Sequence, residues 1–330
     1  VKTTSKRLLL IFLIFSLLWT GNLRANEHHP SDSARRKEVS NPAILKILND
    51  CYPNIPFWTL GGKQYWADVF IYGGWRIQKN IFSGHFRLLD TEDIRRGWGD
   101  YKHCRDLFEN KRQEKNITLK SPHMVIVVHG ILRSKDMLSK MVNRLQKAGY
   151  EARAINYPST RGTIADHARR LELLISRLED VDTLSLVTHS MGGIIVRKMF
   201  DENYSWPASI NRGRLVMIAP PNHGSEVAKR LDDIPLYGLI TGKSGRELKT
   251  DKIKSLPIPE LEFGIIAGKV DGGINFRHLI SEENDGTVSV NTTRLEKATD
   301  FILLKGSHNS LPRQDDVIDK TINFLKTGSF

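Results

Sequence analysis

Residues Thr183–Phe200 read TLSLVTHSMGGIIVRKMF. An apolar run, Leu184, Leu186 and Val187, closes on Thr188-His189-Ser190-Met191-Gly192-Gly193, and a helical apolar pattern follows at Ile194, Ile195, Met199 and Phe200. The order is strand, sharp turn, helix, with a serine at the tip of the turn. The small residues have a mechanical reason. A side chain stands clear of a strand-to-helix turn only where the flanking backbone packs closely, which glycine permits. A helix that starts at Met191 also leaves its first N–H groups without intrahelical acceptors, pointing back toward the serine oxygen. The pattern is G-x-S-x-G, except that Thr188 stands at the first glycine. Alone, the pentapeptide also suits a buried strand–helix turn that happens to carry a serine.

A second signal lies upstream. His123–Gly130 reads HMVIVVHG, four consecutive apolar residues (Val125, Ile126, Val127, Val128) followed by His129-Gly130-Ile131. Such a run is a buried strand, and the turn after it can aim a backbone N–H at the serine. Acyl transfer needs two donors directed at the developing oxyanion. The N–H groups of Ile131 and Met191 are the candidates. For the His129 side chain the simpler reading is a strand-end histidine without a chemical role.

A serine hydroxyl is a poor nucleophile near neutral pH. A neutral imidazole must take its proton, and a carboxylate must hold that imidazole in the right tautomer. For a serine on this kind of turn, the acid and then the histidine follow in the chain. Asn284-Asp285-Gly286-Thr287-Val288 follows an apolar strand at Phe263–Ala267, and Gly306-Ser307-His308-Asn309 follows another at Phe301–Leu304. Loops after the strands of an open α/β sheet are where such a fold places its site, so Asp285 and His308 fit in type, order and setting. Asp271 competes as the acid, lying nearer the end of its strand. His223 competes less well as the base, since it precedes the acid. His189, beside the serine, points elsewhere and packs against or lines the site. No His, Cys or carboxylate cluster has metal-ligand spacing, and Gly61-Gly62-Lys63 lacks the rest of a phosphate loop.

These residues resemble the α/β-hydrolase family, most nearly its bacterial lipases and esterases with HG-Ile and H-S-M-G motifs. The likeness covers about 115–327. It implies a mostly parallel central sheet flanked by helices, and no cofactor. It implies Ser190, Asp285 and His308 as a triad, with Ile131 and Met191 as the oxyanion donors. It also likens Pro220-Pro221-Asn222-His223-Gly224-Ser225 to the small-residue loop after the sixth strand of such lipases. The implied activity is hydrolysis of a small-molecule or lipid ester through an acyl-enzyme. The same triad would serve acyl transfer, or thioester or amide cleavage. A non-catalytic binding protein on this fold is a further reading, against which the intact set of site positions argues.

The chain has 330 residues, enough for one large domain or two modest ones. Lys2, Lys6 and Arg7 precede the apolar run Leu8–Trp19. That run is too short to span a bilayer and suits a signal peptide over 1–25, with an uncleaved anchor as the alternative. Export, to the periplasm or outside the cell, would put the two cysteines, Cys51 and Cys104, in an oxidising compartment. A bridge between them is then expected, against two unpaired buried thiols. The formal charge of +12 is scattered and carries no aromatic interleaving of the single-strand-binding kind, so no nucleic-acid partner is expected. Peripheral contact with an anionic membrane is one use for such a surface, and a plain solvated face is the other.

Residues 26–118 form an extension of different character, with Trp58, Trp66, Trp75 and Trp98. Alternation at Trp66–Tyr72 and Trp75–Ile81, split by Gly73-Gly74, predicts a β-hairpin, and Phe86–Leu89 a further strand. The extension is either a packed subdomain or an aromatic binding surface. The hydrolase-like domain, 119–330, should then contain helices over Lys135–Ala148, Thr163–Leu178 (with a Thr163/Asp166 capping box) and Gln314–Lys326. Strands are expected over Ala152–Asn156 and Arg214–Ala219. The Gly-, Pro- and charge-rich stretch Lys229–Pro259 is either a lid or a surface excursion.

Overall fold

The computed structural model describes residues 57–58, 65–201, 206–224, 243–245, 247–248, 253–270 and 283–330. The expected signal segment, Cys51, Asp271, the Gly61-Gly62-Lys63 stretch and most of 229–259 lie outside the described residues.

Six strands make a parallel sheet: β6 (His123–Val128), β7 (Glu151–Ile155), β8 (Thr183–His189), β9 (Asn211–Ile218), β10 (Glu262–Lys269) and β11 (Asp300–Lys305), in the order β11-β10-β9-β8-β6-β7. Parallel strands covered on both faces read as continuous apolar runs, and β6 shows how one run serves two cores. Met124, Ile126 and Val128 point to a cluster with Leu171, Leu174 and Ile195, while Val125 and Val127 point to another with Met141, Leu145 and Phe324. Helices α3 (Ile164–Ile175) and α4 (Met191–Asp201) therefore cover one face. Helices α2 (Ser139–Lys147) and α5 (Asp315–Thr327) cover the other.

The capping box forms as expected: Thr163 Oγ1 accepts from Asp166 N (3.0 Å) and Asp166 Oδ2 from Thr163 N (2.8 Å). The helix ends at Ile175, three residues short of the expected Leu178. The helix expected over Lys135–Ala148 opens as a 3₁₀ turn, Lys135–Leu138, before α2 proper.

The extension is β-rich, as expected, and larger than its sequence pattern suggests. Strands β1 (Phe57–Trp58), β2 (Trp66–Tyr72), β3 (Trp75–Asn80), β4 (Phe86–Leu89) and β5 (Ile94–Gly99) form an antiparallel sheet in the order β1-β5-β4-β3-β2. Helix α1 (Tyr101–Glu114), capped by Asp100, covers one face with Phe108 and Cys104. Cys104 is a fully buried thiol with no disulfide partner among the described residues, and the bridge expected to Cys51 involves a residue outside them. The two sheets meet where Asp68 N donates to Asn156 O (2.9 Å) and Asn156 N donates to Asp68 Oδ2 (2.7 Å), just past the end of β7. Among the described residues no helix is long and apolar enough to cross a membrane.

Candidate active site

Ser190 sits between β8 and α4 with φ 55°, a left-handed conformation that non-glycine residues rarely adopt. The turn is held from both sides. Ser190 N donates to Ile218 O of β9 (2.9 Å), and Gly193 N donates to Ser190 O (3.0 Å). The surroundings leave no room for side chains. A Cβ at Gly192 would lie 2.7 Å from Val128 O, and one at Gly130 would lie 2.9 Å from Ser190 Cβ. This is why the sequence supplies glycine where β6 ends against the turn. Thr188, at the position usually held by glycine, is buried, and its hydroxyl reaches Val216 O at 3.4 Å.

His308 and Asp285 arrive from the loops after β11 and β10. His308 Nε2 lies 2.9 Å from Ser190 Oγ, and His308 Nδ1 lies 2.7 Å from Asp285 Oδ2. A carboxylate only accepts, so Nδ1 carries the proton and Nε2 is left free to accept from the serine hydroxyl. Asp285 is fixed before it meets the imidazole. Its Oδ1 accepts from Thr287 N (2.9 Å) and Val288 N (2.8 Å), and its carbonyl accepts from His308 N (2.9 Å). All three side chains are buried, Ser190 being 6% and His308 7% exposed. The sequence thus named three residues, from loops up to 118 positions apart, that the structure brings into one hydrogen-bonded line.

Met191 opens α4, where the first N–H groups have no acceptor within the helix. Ile131 follows Gly130 in the turn after β6. The next residue, Leu132, is left-handed (φ 58°), and its N–H donates to Ser159 Oγ (3.1 Å). Ser159, in the loop after β7, thereby pins the turn that carries Ile131. The sequence reading missed it, although a serine in a loop after a parallel strand was a signal. It also missed Tyr157, whose hydroxyl donates to His129 O (2.6 Å) and whose ring stacks on His129 at 4.2 Å. Burial pushes the His129 imidazole down to about 4, and its Nδ1 lies 2.8 Å from Gly130 O.

His223 lies exposed on its loop, its N–H bonded to Thr292 O, and its side chain has no hydrogen bond to Ser190 or Asp285. Its neighbour Asn222 is tied to Thr293 O (2.8 Å) and receives Arg197 Nη1 on its carbonyl (2.8 Å). Arg197 also donates to the carbonyls of Leu256 and Pro257, and burial lowers its guanidinium to about 10. This arginine joins the loop after β9 to the segment before β10, a role that its helical spacing alone does not reveal. Among the described residues no cluster of three or more His, Cys, Asp or Glu is placed to hold a metal ion.

No family model matches this sequence, and no curated protein does. Solved structures do. The mature form of the lipase BlEst2 from Bacillus licheniformis superposes with a TM-score of 0.51 at 21% identity, over 62% of this chain and 91% of that one. Its propeptide form gives 0.50 at 21% identity, over 60% of this chain and 49% of that one. The metagenomic carboxyl esterase MGS0156 gives 0.48 at 16% identity, over 58% and 66%. At these identities the likeness concerns the fold. With the six-stranded parallel sheet flanked by helices, the chain has the α/β-hydrolase fold, carrying an antiparallel N-terminal sheet.

Proposed function

We propose that this protein is an exported serine hydrolase that cleaves carboxylic esters, small or lipidic, through an acyl-enzyme on Ser190. The observation that carries the reading is the unbroken line from Ser190 Oγ to His308 Nε2 (2.9 Å) and from His308 Nδ1 to Asp285 Oδ2 (2.7 Å). Ser190 Oγ attacks the acyl carbonyl while His308 Nε2 takes its proton. Asp285 holds the imidazole and stabilises the imidazolium that forms. The oxyanion accepts from Met191 N–H and Ile131 N–H, which are fixed before substrate arrives and so need no reorganisation. His308 returns its proton to the leaving alkoxide. Water, activated in the same way, then releases the acid. The positive φ of Ser190 and the crowding at Gly130 and Gly192 support the reading, since backbone strain persists where the surroundings over-determine it and clusters at functional sites. Export rests on the basic, then apolar, character of residues 1–25.

A fluorophosphonate probe should label the protein once, at Ser190, and Ser190→Ala should abolish labelling. The same variant should lower hydrolysis of p-nitrophenyl esters by about 10⁶-fold while leaving the fold intact. Esters of graded chain length would define the acyl preference. Wild-type protein that takes up no probe and turns over no ester would end the proposal.

A further inference from the structure

His189 precedes the proposed nucleophile, and nothing in the acyl-enzyme scheme uses it. Its position is nevertheless specific. It is 1% exposed, its Nε2 lies 2.9 Å from the carbonyl oxygen of His308, and its ring sits 4.7 Å from the His308 ring at 43°. A carbonyl only accepts, so the His189 proton is on Nε2. Nδ1 is then a bare lone pair, and it is buried without a hydrogen-bond partner. It faces Gly130, where an added Cβ would come within 3.4 Å of it. Burial first, and then the neighbouring His308, push this imidazole well below the ordinary histidine range, so it stays neutral beside the base. The other charged or titratable groups acting on it are Arg133 and His129.

We infer that His189 is a positioning residue that sets the distance between His308 and Ser190 by holding the His308 backbone. His308 offers four polar groups, and all four are engaged. Its N–H donates to Asp285 O, its Nδ1–H to Asp285 Oδ2, its Nε2 faces Ser190 Oγ, and its carbonyl accepts from His189. Two of these tie the base to the acid's loop. The other two tie it to consecutive residues of one strand end, Ser190 and His189. The loop that carries the base is therefore gauged against the dipeptide that carries the nucleophile. The same loop is also tied by Gly306 N to Lys269 O (2.8 Å) and by Arg133 Nη2 to Asn309 Oδ1 (2.6 Å), but of the loop's hydrogen bonds only those to Ser190 and His189 reach the strand end that carries the serine. A misplacement of about 1 Å between reacting groups costs about a hundredfold in rate. The orientation leaves Nδ1 unsatisfied, a cost of burial that the hydrogen bond from Nε2 to the His308 carbonyl offsets.

The inference rests on the proposed hydrolytic site, and the test separates the two. In glutamine the amide nitrogen falls where Nε2 stands. In asparagine it falls nearer Nδ1 and cannot reach the carbonyl. His189→Gln, His189→Asn and His189→Phe would be compared on p-nitrophenyl butyrate, with thermal unfolding recorded for each. His189→Asn and His189→Phe should lose about a hundredfold in kcat, with KM within about threefold, since the acyl-binding surface is untouched. His189→Gln should recover at least about tenfold of that loss. Glutamine no better than asparagine would overturn the inference. So would a loss carried by KM, or a folded His189→Phe with wild-type kcat. If no variant folds, His189 is a core residue and the inference falls. Wild-type protein that turns over no ester and takes up no fluorophosphonate fails at the earlier step, and takes this inference with it.

Discussion

The antiparallel sheet buries Asp68, Arg76, Gln78 and Arg87 among its strands, whereas the parallel sheet is filled mostly by Val, Ile, Leu and Met, with Ser185 and Glu151 as buried exceptions, and carries Ser190, Asp285 and His308 beyond its strand ends. In the first, polar groups consume one another. Asp68 accepts from Arg76 Nη1 (2.8 Å), from Gln78 Nε2 (2.7 Å) and from Asn156 N, while Gln78 Oε1 accepts from Arg87 Nε (3.0 Å) and Nη2 (2.6 Å). In the second, Ser190, Asp285 and His308 meet beyond the carboxyl ends of β8, β10 and β11, where loops are free to vary on a rigid frame. Both regions bury polar and charged groups. The antiparallel one uses them to fix strand register and the joint with β7, the parallel one to hold the His308 imidazole, the proposed base, against the Ser190 hydroxyl. Substitutions should therefore separate the two: those in the triad should remove turnover and spare stability, and those in the Asp68 network should do the reverse.

After Ser190→Ala itself, the largest such effect is expected at Asp285. Asparagine would still accept from Thr287 N and Val288 N, so the loop should keep its shape. Facing His308 Nδ1, however, its amide permits the wrong imidazole tautomer, and kcat should fall by about 10⁴. The unfolding midpoint should hardly move. Near-normal turnover by purified Asp285→Asn would show that another carboxylate does the work, Asp271 being the first to try.

Next comes Asp68→Ala. It strips a nearly fully buried partner from Arg76, whose side chain is 8% exposed and whose remaining acid, Asp93, is 3.7 Å away. Breaking a buried pair in this way costs about 3–5 kcal/mol. Urea denaturation should show that loss, while kcat per folded molecule stays within about twofold of wild type. A large fall in kcat at unchanged stability would mean that the antiparallel sheet reaches the chemistry, and the division drawn above would be wrong.

The same contrast explains what was legible in the sequence. The nucleophile turn could be read because a strand, a serine and a helix start can be joined so tightly by few residue types. Asp285 and His308 could be read because each follows an apolar strand in the required order. The hairpin Trp66–Asn80 could be read from its alternation and its glycine pair. Helix α1 could not: of its fourteen residues only Cys104 and Phe108 are buried, Tyr101 and Leu107 pack partly against them, and the rest of YKHCRDLFENKRQE is polar or charged. Strand β5, IRRGWG, carries two glycines and two arginines and gains its identity from pairing with β4, which no local pattern reports. Ser159, Tyr157 and Arg197 act through partners 25 to 60 residues away in the chain. Their roles are properties of the assembled fold. The bridge expected from Cys51 and Cys104 followed from the compartment. Cys51 lies outside the described residues, and burial of Cys104 beside Phe108 pushes its thiol up to about 12.

The smallest effect is a pH dependence of stability that belongs mainly to the parallel sheet. Burial holds His129 near 4 and His167 near 3, and His189 lies well below its ordinary value. In the unfolded chain each titrates near 6.5. Below that pH the unfolded state binds protons that the folded state refuses, so stability should fall as pH drops from about 6.5 toward 4, by at most about 1.4 kcal/mol per pH unit for each histidine. Among the described residues of the antiparallel region only His85 is lowered, to about 4, and it is half-buried, so water weakens its contribution. His129→Phe would keep a ring against Tyr157 and remove one titrating group. Between pH 7 and pH 5 it should recover about 2 kcal/mol of the wild-type loss. His85→Phe should recover much less. If the two substitutions flatten the curve equally, the acid sensitivity is shared between the sheets, and burial behind the strand ends is not its source.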